Sequence, residues 1–379
     1  MIVVLAGSLG IITYTFVGYP VLAWLLAAAR RKPLRTDPDF APPISLVILA
    51  HNEEAIIGAK LENTLALDYP REQLEVIVVA DGSDDGTADR ARTYPDVRVL
   101  YQPERRGKLA AMNRAAAVAR GEILVFSDAN NQYAEDSLRE LVAPFADPSV
   151  GVVTGRKAID DGTGRPLDRA EGLYWRYESK LKEWESTAGC VTAVAGEALA
   201  FRRDAFIEPP PDTMNEDFVQ AMLAALDGWR VVYAPRALSL ERASATIRDE
   251  ATRRRRLVTG RWQALLTLVP RLVRHRPALA WRVLSHKGLR PVVPWALLAA
   301  LLSNAALAAD AQWARWLGGA HLAFYSAAAG GWLAERIGRR TRLLYLPYYF
   351  CRMNLATLRG FRDFLTRRQN AVWTRVERG

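Results

Sequence analysis

The chain has 379 residues, half of them hydrophobic, and its 51 Lys and Arg against 41 Asp and Glu give a formal net charge of +10. That length allows two or three structural units. A basic balance is compatible with nucleic acid, an anionic membrane or a phosphorylated ligand as partner. The sequence contains no recognised nucleic-acid-binding module, which argues against the first. Two cysteines in unrelated contexts, Cys190 and Cys351, provide neither a disulfide framework nor a metal-binding spacing.

The N-terminal segment is predicted to anchor the chain in a membrane. Residues 1–29 contain no charged side chain. As a helix they would extend roughly 43 Å, more than the ~30 Å of a bilayer core. Basic residues follow this segment, between residues 30 and 35, and none precede it. The positive-inside rule therefore places residue 30 onward in the cytoplasm, and residues 30–43, with four prolines, are expected to be a linker.

Residues 44–240 are predicted to form one α/β domain with a parallel, doubly wound sheet and flanking helices. Strand-like and helix-like segments alternate at the intervals typical of parallel β-α-β units. The expected strands are 44–50, 75–80, 97–101, 123–127, 150–154, 191–203 and 231–235. The expected helices are 54–67, 85–93, 107–120, 135–144, 169–186 and a segment that follows Asp217 and ends near 227.

Two features of the later segments bear on packing. Gly196 lies inside the expected strand 191–203, where a glycine is expected to permit close approach of a ligand or of backbone. An apolar stripe at helical spacing marks the helix 169–186 and predicts core packing. Its residues are Tyr174, Tyr177, Leu181 and Trp184.

Three polar clusters follow three of the expected strands. They are His51-Asn52-Glu53-Glu54, Asp81 to Thr87, and Asp128-Ala129-Asn130. Because the carboxyl ends of parallel strands share one rim, where ligands bind in open α/β sheets, the clusters are expected to lie together. A carboxylate at a buried strand end costs free energy unless it is paired, hydrogen-bonded or bound to metal. Asp128 is therefore expected to hold a divalent cation at a ligand site on this rim, and the alternative is a capping Asp in a loop.

The remaining sequence is predicted to lie at or in the membrane. Residues 241–290 are expected to form amphipathic helices on an anionic membrane surface. Residues 291–335 contain two uncharged runs and are expected to form a transmembrane hairpin. Residues 336–379 are expected to be an interfacial helix, over 343–366, and a basic cytoplasmic tail. This arrangement predicts a multi-pass protein of the cell inner (plasma) membrane with a cytoplasmic catalytic domain.

The motifs, taken in order, resemble those of membrane-bound family 2 glycosyltransferases, relatives of bacterial cellulose synthase, poly-N-acetylglucosamine synthase and hyaluronan synthase. They are HNEE, DGSDDGT, GKLAAMN, FSDAN, GEALAFRR, NED and RRRRLVTGRW. The resemblance covers about residues 42–268 and extends more loosely through YYFCRMNLATLRGF to the closing QNAVWTRVER. It implies a GT-A fold and inverting sugar transfer from a nucleotide-diphosphate sugar, with a UDP-sugar as the expected donor.

The resemblance also implies roles for single residues. The implied nucleotide-binding set is Ala50, Asn52, Glu53, Asp81, Gly107 and Lys108. Within it, Asp81 would receive the base, and Gly107 and Lys108 would lie near the diphosphate. A lysine at the start of a helix suits an anion, because its charge adds to that of the free backbone N–H groups.

The implied chemistry needs a metal and a base. Asp128 and Asn130 stand where the family has its metal-binding Asp-X-Asp, which implies Mg²⁺ or Mn²⁺ held by hard oxygen ligands. Asp217, in Asn215-Glu216-Asp217, matches the family's catalytic base. An acceptor hydroxyl is a poor nucleophile until a base takes its proton, and the cation would stabilise the charge that grows on the leaving diphosphate.

A basic segment completes the implied site. Arg256, Arg261 and Trp262 are implied to lie near the donor diphosphate and the acceptor sugar, since arginine suits phosphate and an aromatic ring suits a sugar face. The family's Gln-X-X-Arg-Trp is Val258-Thr259-Gly260-Arg261-Trp262 here. The glutamine is missing, which leaves processive synthesis open.

The expected activity is transfer of a sugar to a glycan or lipid-linked acceptor at the cytoplasmic membrane face, in exopolysaccharide or cell-surface glycan synthesis. Two alternatives stay open. One is the transfer of a single sugar to polyprenyl phosphate or a lipid, and the other is a non-catalytic nucleotide-sugar-binding subunit of a polysaccharide export complex. An export-complex partner therefore also stays open. Nucleic acid is not an expected partner, because acidic clusters form the predicted site.

Overall fold

A computed structural model describes residues 1–160, 166–339 and 342–367 of the chain. The closing segment QNAVWTRVER and most of the expected basic tail lie outside the described residues.

One eight-stranded sheet forms the centre of the fold. Its strands are β1 (Ile44–Ala50), β2 (Leu74–Asp81), β3 (Val97–Gln102), β4 (Ile123–Asp128), β5 (Asn131–Tyr133), β6 (Val150–Asp160), β7 (Leu199–Arg202) and β8 (Arg230–Arg242). Their spatial order is β3-β2-β1-β4-β7-β6-β8-β5. The first four strands are parallel, as expected, and β6 pairs parallel with β8. By contrast, β7 is antiparallel to β4 and β6, and β5 is antiparallel to β8, so the sheet is mostly parallel.

Helices cover both faces of the sheet. They are α1 (Ile2–Thr13), α2 (Tyr19–Ala29), α3 (Glu54–Leu65), α4 (Thr87–Arg92), α5 (Lys108–Val118), α6 (Ser137–Val142), α7 (Pro166–Thr187), α8 (Glu216–Leu226), α9 (Ile247–His275), α10 (Pro277–Val283), α11 (Val293–Leu307), α12 (Gln312–Arg336) and α13 (Arg342–Leu365). A π-helical turn, Tyr14–Gly18, joins α1 to α2.

The apolar runs of the parallel strands explain the two cores. In β1, Val47 packs with Ile77 on one face of the sheet, whereas its neighbour Ile48 packs with Val78 on the other. Successive side chains of a strand point to opposite faces, so a continuous Val/Ile/Leu run is buried only when both faces are covered. The same helices leave the carboxyl ends of β1, β2 and β4 open as a rim.

The expected strand 191–203 is wrong over its first part. Residues 191–198 precede β7 as an irregular segment, in which the Ala195 N–H donates to the Thr154 hydroxyl at 2.9 Å and the Ala198 N–H to the Ala195 carbonyl at 3.1 Å. These bonds replace a strand ladder. The sequence is largely apolar on both sides of Gly196 and Glu197, so the pattern does not reveal that the strand begins only at Leu199.

The strand expected at 231–235 is longer, because β8 has 13 residues. The segment 241–290, expected to form amphipathic helices, is largely taken up by α9, with 29 residues. The side chain of Thr246 caps α9 by accepting a hydrogen bond from the Asp249 N–H. Beyond the cap, α9 runs alongside α13. Gly360 permits this contact, because a Cβ there would lie 2.6 Å from the Arg255 carbonyl oxygen.

The expected transmembrane hairpin over 291–335 is not supported. Among the described residues, Ile2–Ala29 is the one helical stretch long and apolar enough to cross a membrane. The 15 residues of α11 span roughly 22 Å, less than a bilayer core of ~30 Å. Pro277–Gly288 and α11 together reach the necessary length, but they meet at 63°. The 25 residues of α12 are long enough, but four glycines and His321 dilute its hydropathy.

The N-terminal helices pack on the rest of the chain. Tyr14 hydroxyl lies 2.9 Å from the Ser285 hydroxyl, and Tyr19 hydroxyl donates to Glu185 Oε1 at 2.5 Å. Tyr19 and Leu181 form a small buried cluster, against which Tyr177 and Trp184 pack. Core packing is thereby confirmed for those three members of the α7 stripe, and the remaining one, Tyr174, has another environment.

Candidate active site

A cavity of about 550 Å³ opens at the carboxyl ends of β1, β2 and β4. The structure brings most of the predicted residues to its wall: Ala50, Glu53, Asp81, Gly107, Lys108, Asp128, Asn130, Asp217, Arg256 and Arg261. The three polar clusters therefore share one rim, as expected from parallel strands. This volume lies in the range of small-molecule sites, which are clefts of roughly 300–1,000 Å³.

Asn52 and Trp262 do not line the cavity. Asn52 joins the first two polar clusters, because its Nδ2 donates to Asp84 Oδ1 at 2.6 Å and its Oδ1 accepts from the Asp84 N–H at 3.0 Å. Trp262 packs against Phe361 of α13, with ring centroids 5.1 Å apart. Adjacent residues of a helix point about 100° apart, so Arg261 faces the cavity while Trp262 faces α13.

Asp81 holds the loop that leads into α5. Its Oδ2 accepts from the Gly107 N–H at 2.7 Å and from the Arg106 N–H at 3.1 Å. Gly107 has φ +90°, a conformation that glycine adopts without strain. His51 Nδ1 lies 2.8 Å from the Asp81 carbonyl oxygen, which ties the β1 and β2 ends together. Asp81 is thus a structural part of the wall, and contact with a base stays a prediction.

Lys108 stands at the start of α5 and faces acids. Its Nζ lies 2.7 Å from Asp128 Oδ1 and 4.0 Å from Glu216 Oε1. Burial alone would lower the pKa of Lys108, but Asp128 and the two acids of α8 outweigh it and raise the pKa. The side chain therefore stays cationic at neutral pH and carries a positive charge at a helix N-terminus, a position suited to phosphate.

Asp128 and Asn130 both line the cavity and both carry side-chain oxygens. Asn130 Oδ1 is buried and, among the residues that the structure describes, has no hydrogen-bond partner, whereas its Nδ2 donates to Glu241 Oε1 at 3.3 Å. In the same part of the chain no group of three or more His, Cys, Asp or Glu could hold a metal by itself. The pair fits a cation such as Mg²⁺ or Mn²⁺ that takes its other ligands from phosphate and water.

Asp217 lies in the first turn of α8, beside Lys108. Its Oδ1 accepts from the Phe218 N–H at 2.7 Å. Burial raises the pKa of Asp217, and nearby Glu197 and Asp128 raise it further, against the opposing effects of Lys108 and that N–H. A raised pKa brings a carboxylate closer to the basicity that proton abstraction needs.

Gly196 permits the approach of residues 191–198 to this acid. A Cβ at Gly196 would lie 3.0 Å from Asp217 Oδ2 and 3.3 Å from Lys108 Nζ. The close approach expected from the sequence is therefore to the two charged side chains. Next to it, Glu197 is held by Lys157, whose Nζ is 2.9 Å from Glu197 Oε1. Burial would raise the pKa of Glu197, but Lys157 outweighs it and lowers the pKa to about 2.

Sequence reasoning missed a group of cavity residues on α7 and after α10. They are Tyr174, Trp175, Glu178, Lys182 and Lys287. Charged residues spaced four apart on the apolar face of α7, Glu178 and Lys182, were the available signal, since charges on a buried face need partners.

The arginines of α9 face different ends of the cavity. Burial lowers the pKa of Arg256, and Glu216 and Asp128 oppose that shift. Burial also lowers the pKa of Arg261, to about 10, and the neighbours that affect it most are Tyr174 and Arg254. One arginine thus lies by Glu216 and Asp128, and the other lies by Tyr174.

Comparisons with known proteins agree with this geometry. Residues 45–208 match the family model described as Glycosyl transferase family 2. A beta-monoglucosyldiacylglycerol synthase of Synechocystis sp. is 28% identical over 236 residues, which cover 55% of this chain and 49% of that protein. A poly-beta-1,6-N-acetyl-D-glucosamine synthase of Staphylococcus aureus is 27% identical over 220 residues, which cover 55% and 53%. The chain spans about half the length of the curated relatives it matches.

A solved structure resembles nearly the whole chain. It is the mannosyltransferase PcManGT from Pyrobaculum calidifontis in complex with GDP-Man and Mn²⁺, 29% identical, with a TM-score of 0.73 over 97% of this chain and 100% of that chain. The GT-A fold expected from the motifs is confirmed. The chain contains a glycosyl transferase family 2 domain, built as a mostly parallel GT-A sheet with flanking helices.

Proposed function

We propose that the chain is an inverting hexosyltransferase that moves a sugar from a nucleotide-diphosphate sugar to a hydroxyl of a glycan or lipid-linked acceptor. The observation that carries the proposal is the meeting of Asp128, Lys108 and Asp217 at one cavity. Lys108 Nζ lies 2.7 Å from Asp128 Oδ1, and the side chains of Lys108 and Asp217 both lie next to Gly196. The proposed phosphate-binding cation, metal ligand and base therefore line one cavity.

The donor end is assigned from its charges. Asp128 and Asn130 would hold Mg²⁺ or Mn²⁺, and the cation supplies charge stabilisation to a leaving diphosphate. Lys108 adds a positive charge at the N-terminus of α5, directed at the same anion. Arg256, which lies near Asp128 and Glu216, supplies a further cation on that side. The similar mannosyltransferase was solved with GDP-Man, and the motifs resemble enzymes that use UDP-sugars, so both nucleotides belong in the assay.

Asp217 is assigned as the base. It accepts the proton of the acceptor hydroxyl as that oxygen attacks the anomeric carbon, and the nucleotide diphosphate leaves from the opposite face. A single displacement inverts the anomeric configuration and needs no nucleophilic carboxylate from the protein. Glu197, although close by, is kept ionised by Lys157 and is a weaker base, because its pKa is lowered to about 2.

The acceptor side is assigned to a membrane surface. The apolar stretch Ile2–Ala29 supports a membrane anchor. Large apolar side chains are exposed on this stretch and on the C-terminal helices, among them Trp24, Leu302, Trp316 and Leu343. Exposed apolar surface of this kind is typical of contact with membrane or protein. The similar synthases of Synechocystis and Staphylococcus aureus are named for a glycolipid and a polysaccharide product, and both acceptor types are therefore proposed here.

The experiment is a donor panel with the full chain in detergent. UDP- and GDP-sugars are supplied with Mg²⁺ or Mn²⁺ and with lipid-linked and glycan acceptors, and nucleotide release is measured. We expect release with one donor class, and a product whose anomeric configuration, read by NMR, is opposite to that of the donor. Nucleotide binding without turnover for every donor and acceptor would favour the non-catalytic export subunit, and retention of configuration would contradict the single displacement.

A further inference from the structure

The far end of the cavity holds a second polar cluster, which includes Arg261 but none of the residues assigned above to the donor end. We name it the Tyr174 cluster, and its members are Tyr174, Arg254, Arg261, Lys287 and Arg290. Arg290 Nη1 donates to the Tyr174 hydroxyl at 3.1 Å, and the Arg254 guanidinium lies 5.3 Å from the centre of the Tyr174 ring. Burial lowers the pKa of Arg261, and Arg254 and Arg290 lower it further against the opposing effect of Tyr174.

The cluster carries more positive than negative charge. Glu178 is the carboxylate that its cations contact directly among the described residues, with Arg290 Nη2 at 2.5 Å and Lys287 Nζ at 3.3 Å. His286 Nε2 lies 3.4 Å from the same carboxylate, so Glu178 is already shared. Glu250 acts on Arg254 as well, so four basic side chains share two acids. Burying cations without matching anions costs free energy, which a bound anion would offset.

The pKa of the Tyr174 phenol reflects the positive charge around it. Burial and Glu178 would raise the pKa of Tyr174, but Arg290, Arg254 and Lys287 outweigh them and lower it. An oxygen at this position is thus stabilised when it carries negative charge. A phosphate oxygen placed in the adjoining cavity would experience the same stabilisation.

The cluster is distinct from the metal and base region. Apart from burial, the pKa of Arg256 is affected most by Glu216, Asp128 and Asp217. The pKa of Arg261 is affected most by Tyr174 and Arg254. Lys108, the cation of the donor end, is in turn held by Asp128 and Glu216. The cavity therefore has two cationic ends, and a donor diphosphate over Asp128 leaves the second one available.

The second end adjoins the apolar N-terminal helices. Lys287 belongs to a π-helical turn, Leu284–Gly288, in which Ser285 lies 2.9 Å from the Tyr14 hydroxyl. His286, beside Lys287, packs on the Tyr19 ring at a centroid distance of 5.8 Å. A ligand with its anionic group at Lys287 would thus have an apolar helix within one or two side chains, which suits a lipid tail.

We propose that the Tyr174 cluster binds a phosphate of the acceptor, and that the acceptor is a lipid whose phosphate lies close to the hydroxyl that receives the sugar. This inference rests on the proposed glycosyl transfer and narrows its acceptor to an anionic lipid. Phosphate could also come from the donor, so the experiment must separate the two sources.

The test measures binding of undecyl phosphate to the full chain in detergent, with undecanol as the uncharged probe. Both are titrated in the presence of saturating UDP or GDP with Mn²⁺. We expect undecyl phosphate to bind while the nucleotide site is full, and undecanol to bind at least about tenfold more weakly, because the phosphate supplies charge-assisted hydrogen bonds. Competition between nucleotide and undecyl phosphate would overturn the inference, as would equal binding of the two probes.

Variants assign the binding to the cluster. Lys287→Met and Arg254→Met each remove one cation with little change in volume, and we expect each to weaken undecyl phosphate about tenfold while nucleotide affinity stays the same. Lys287→Arg keeps the charge and should retain binding. Arg274→Met, at an exposed position of the same helix as Arg254, is the matched control and should have no effect. Loss of nucleotide affinity in Lys287→Met, or equal loss in the control, would overturn the inference.

The readout also separates this inference from the proposed function. Binding of undecyl phosphate with no sugar transfer to any acceptor would contradict the transferase assignment and leave the phosphate site standing. Transfer to uncharged glycolipids as fast as to phosphate-bearing lipids would support the transferase and reject an anionic acceptor.

Discussion

Gly196→Ala tests how closely the segment before β7 must approach the base. The added Cβ would lie 3.0 Å from Asp217 Oδ2, 3.3 Å from Asp217 Cβ and 3.3 Å from Lys108 Nζ. Favourable non-bonded contacts lie near 3.5 Å or beyond, so the carboxylate must move by roughly 0.5 Å. Because a misplacement of about 1 Å can cost ~10²-fold in rate, we expect about a tenfold loss in kcat, or about 1.4 kcal/mol in the barrier.

The assay is steady-state nucleotide release, with thermal unfolding measured in parallel. Gly172→Ala on α7 is the matched control, because among the described residues its Cβ would meet only Arg176 Nη1, at the ordinary contact distance of 3.6 Å. We expect that control to keep its kcat and to keep or slightly raise its unfolding midpoint, since alanine is favoured over glycine in a helix interior by roughly 0.5–1 kcal/mol. An unchanged kcat in Gly196→Ala would refute the idea that the position of Asp217 limits the rate. A loss of kcat that comes with a large fall in the unfolding midpoint would show that folding is the cause.

Three further predictions address the metal, a buried lysine and the N-terminal helix. Asp128→Ala should lose metal-dependent transfer while Asn130→Asp keeps it, and equal activity of Asp128→Ala would make this residue a simple cap. Burial lowers the pKa of Lys60 from 10.5 to about 7, so the unfolded chain binds more protons between those pH values and stability rises with pH there. Denaturation of Lys60→Met should lack this rise, and an equal pH slope would contradict the assignment. Tyr19→Phe removes the hydrogen bond to Glu185 and should lower the unfolding free energy by about 1.5–3 kcal/mol in a detergent denaturation assay, whereas no change would show that water replaces the hydroxyl.

The central part of the fold was predictable because its signals are local. Continuous apolar runs such as Ile44–Ala50 indicate parallel strands, and parallel strands bring the residues that follow them to one rim. That rule alone placed Asp81 and Asp128 at one cavity. The reversed direction of β7 has no local signal, since it depends on its pairing with β4 and β6.

The cavity's far end could not be predicted because it depends on contacts between distant parts of the chain. Tyr174 lies in an apolar stripe that predicts core packing, and only the arrival of Arg290 and Arg254 gives it a charged environment. Likewise, Trp262 was expected at the sugar on the strength of its motif, but Phe361 of α13 occupies its face. Helical spacing does not reveal which neighbour a side chain will meet.

The membrane predictions were limited by a different cause. A run without charged residues, such as the two within residues 291–335, can consist of small residues that are only weakly hydrophobic. The helix α12 contains several glycines and alanines of this kind. Uncharged length indicates a span only when the mean hydropathy is high as well. The stretch Ile2–Ala29 meets both conditions, and α11 is too short to meet the first.

The central claim is that Asp217 is the base of an inverting transfer. The most direct test replaces it by the isosteric amide, Asp217→Asn, and measures sugar transfer and nucleotide binding on the same preparation. We expect transfer to fall by about 10²–10⁴-fold, the usual contribution of a general base, while the affinity for nucleotide and Mn²⁺ stays the same. Transfer at an undiminished rate in Asp217→Asn would contradict the account.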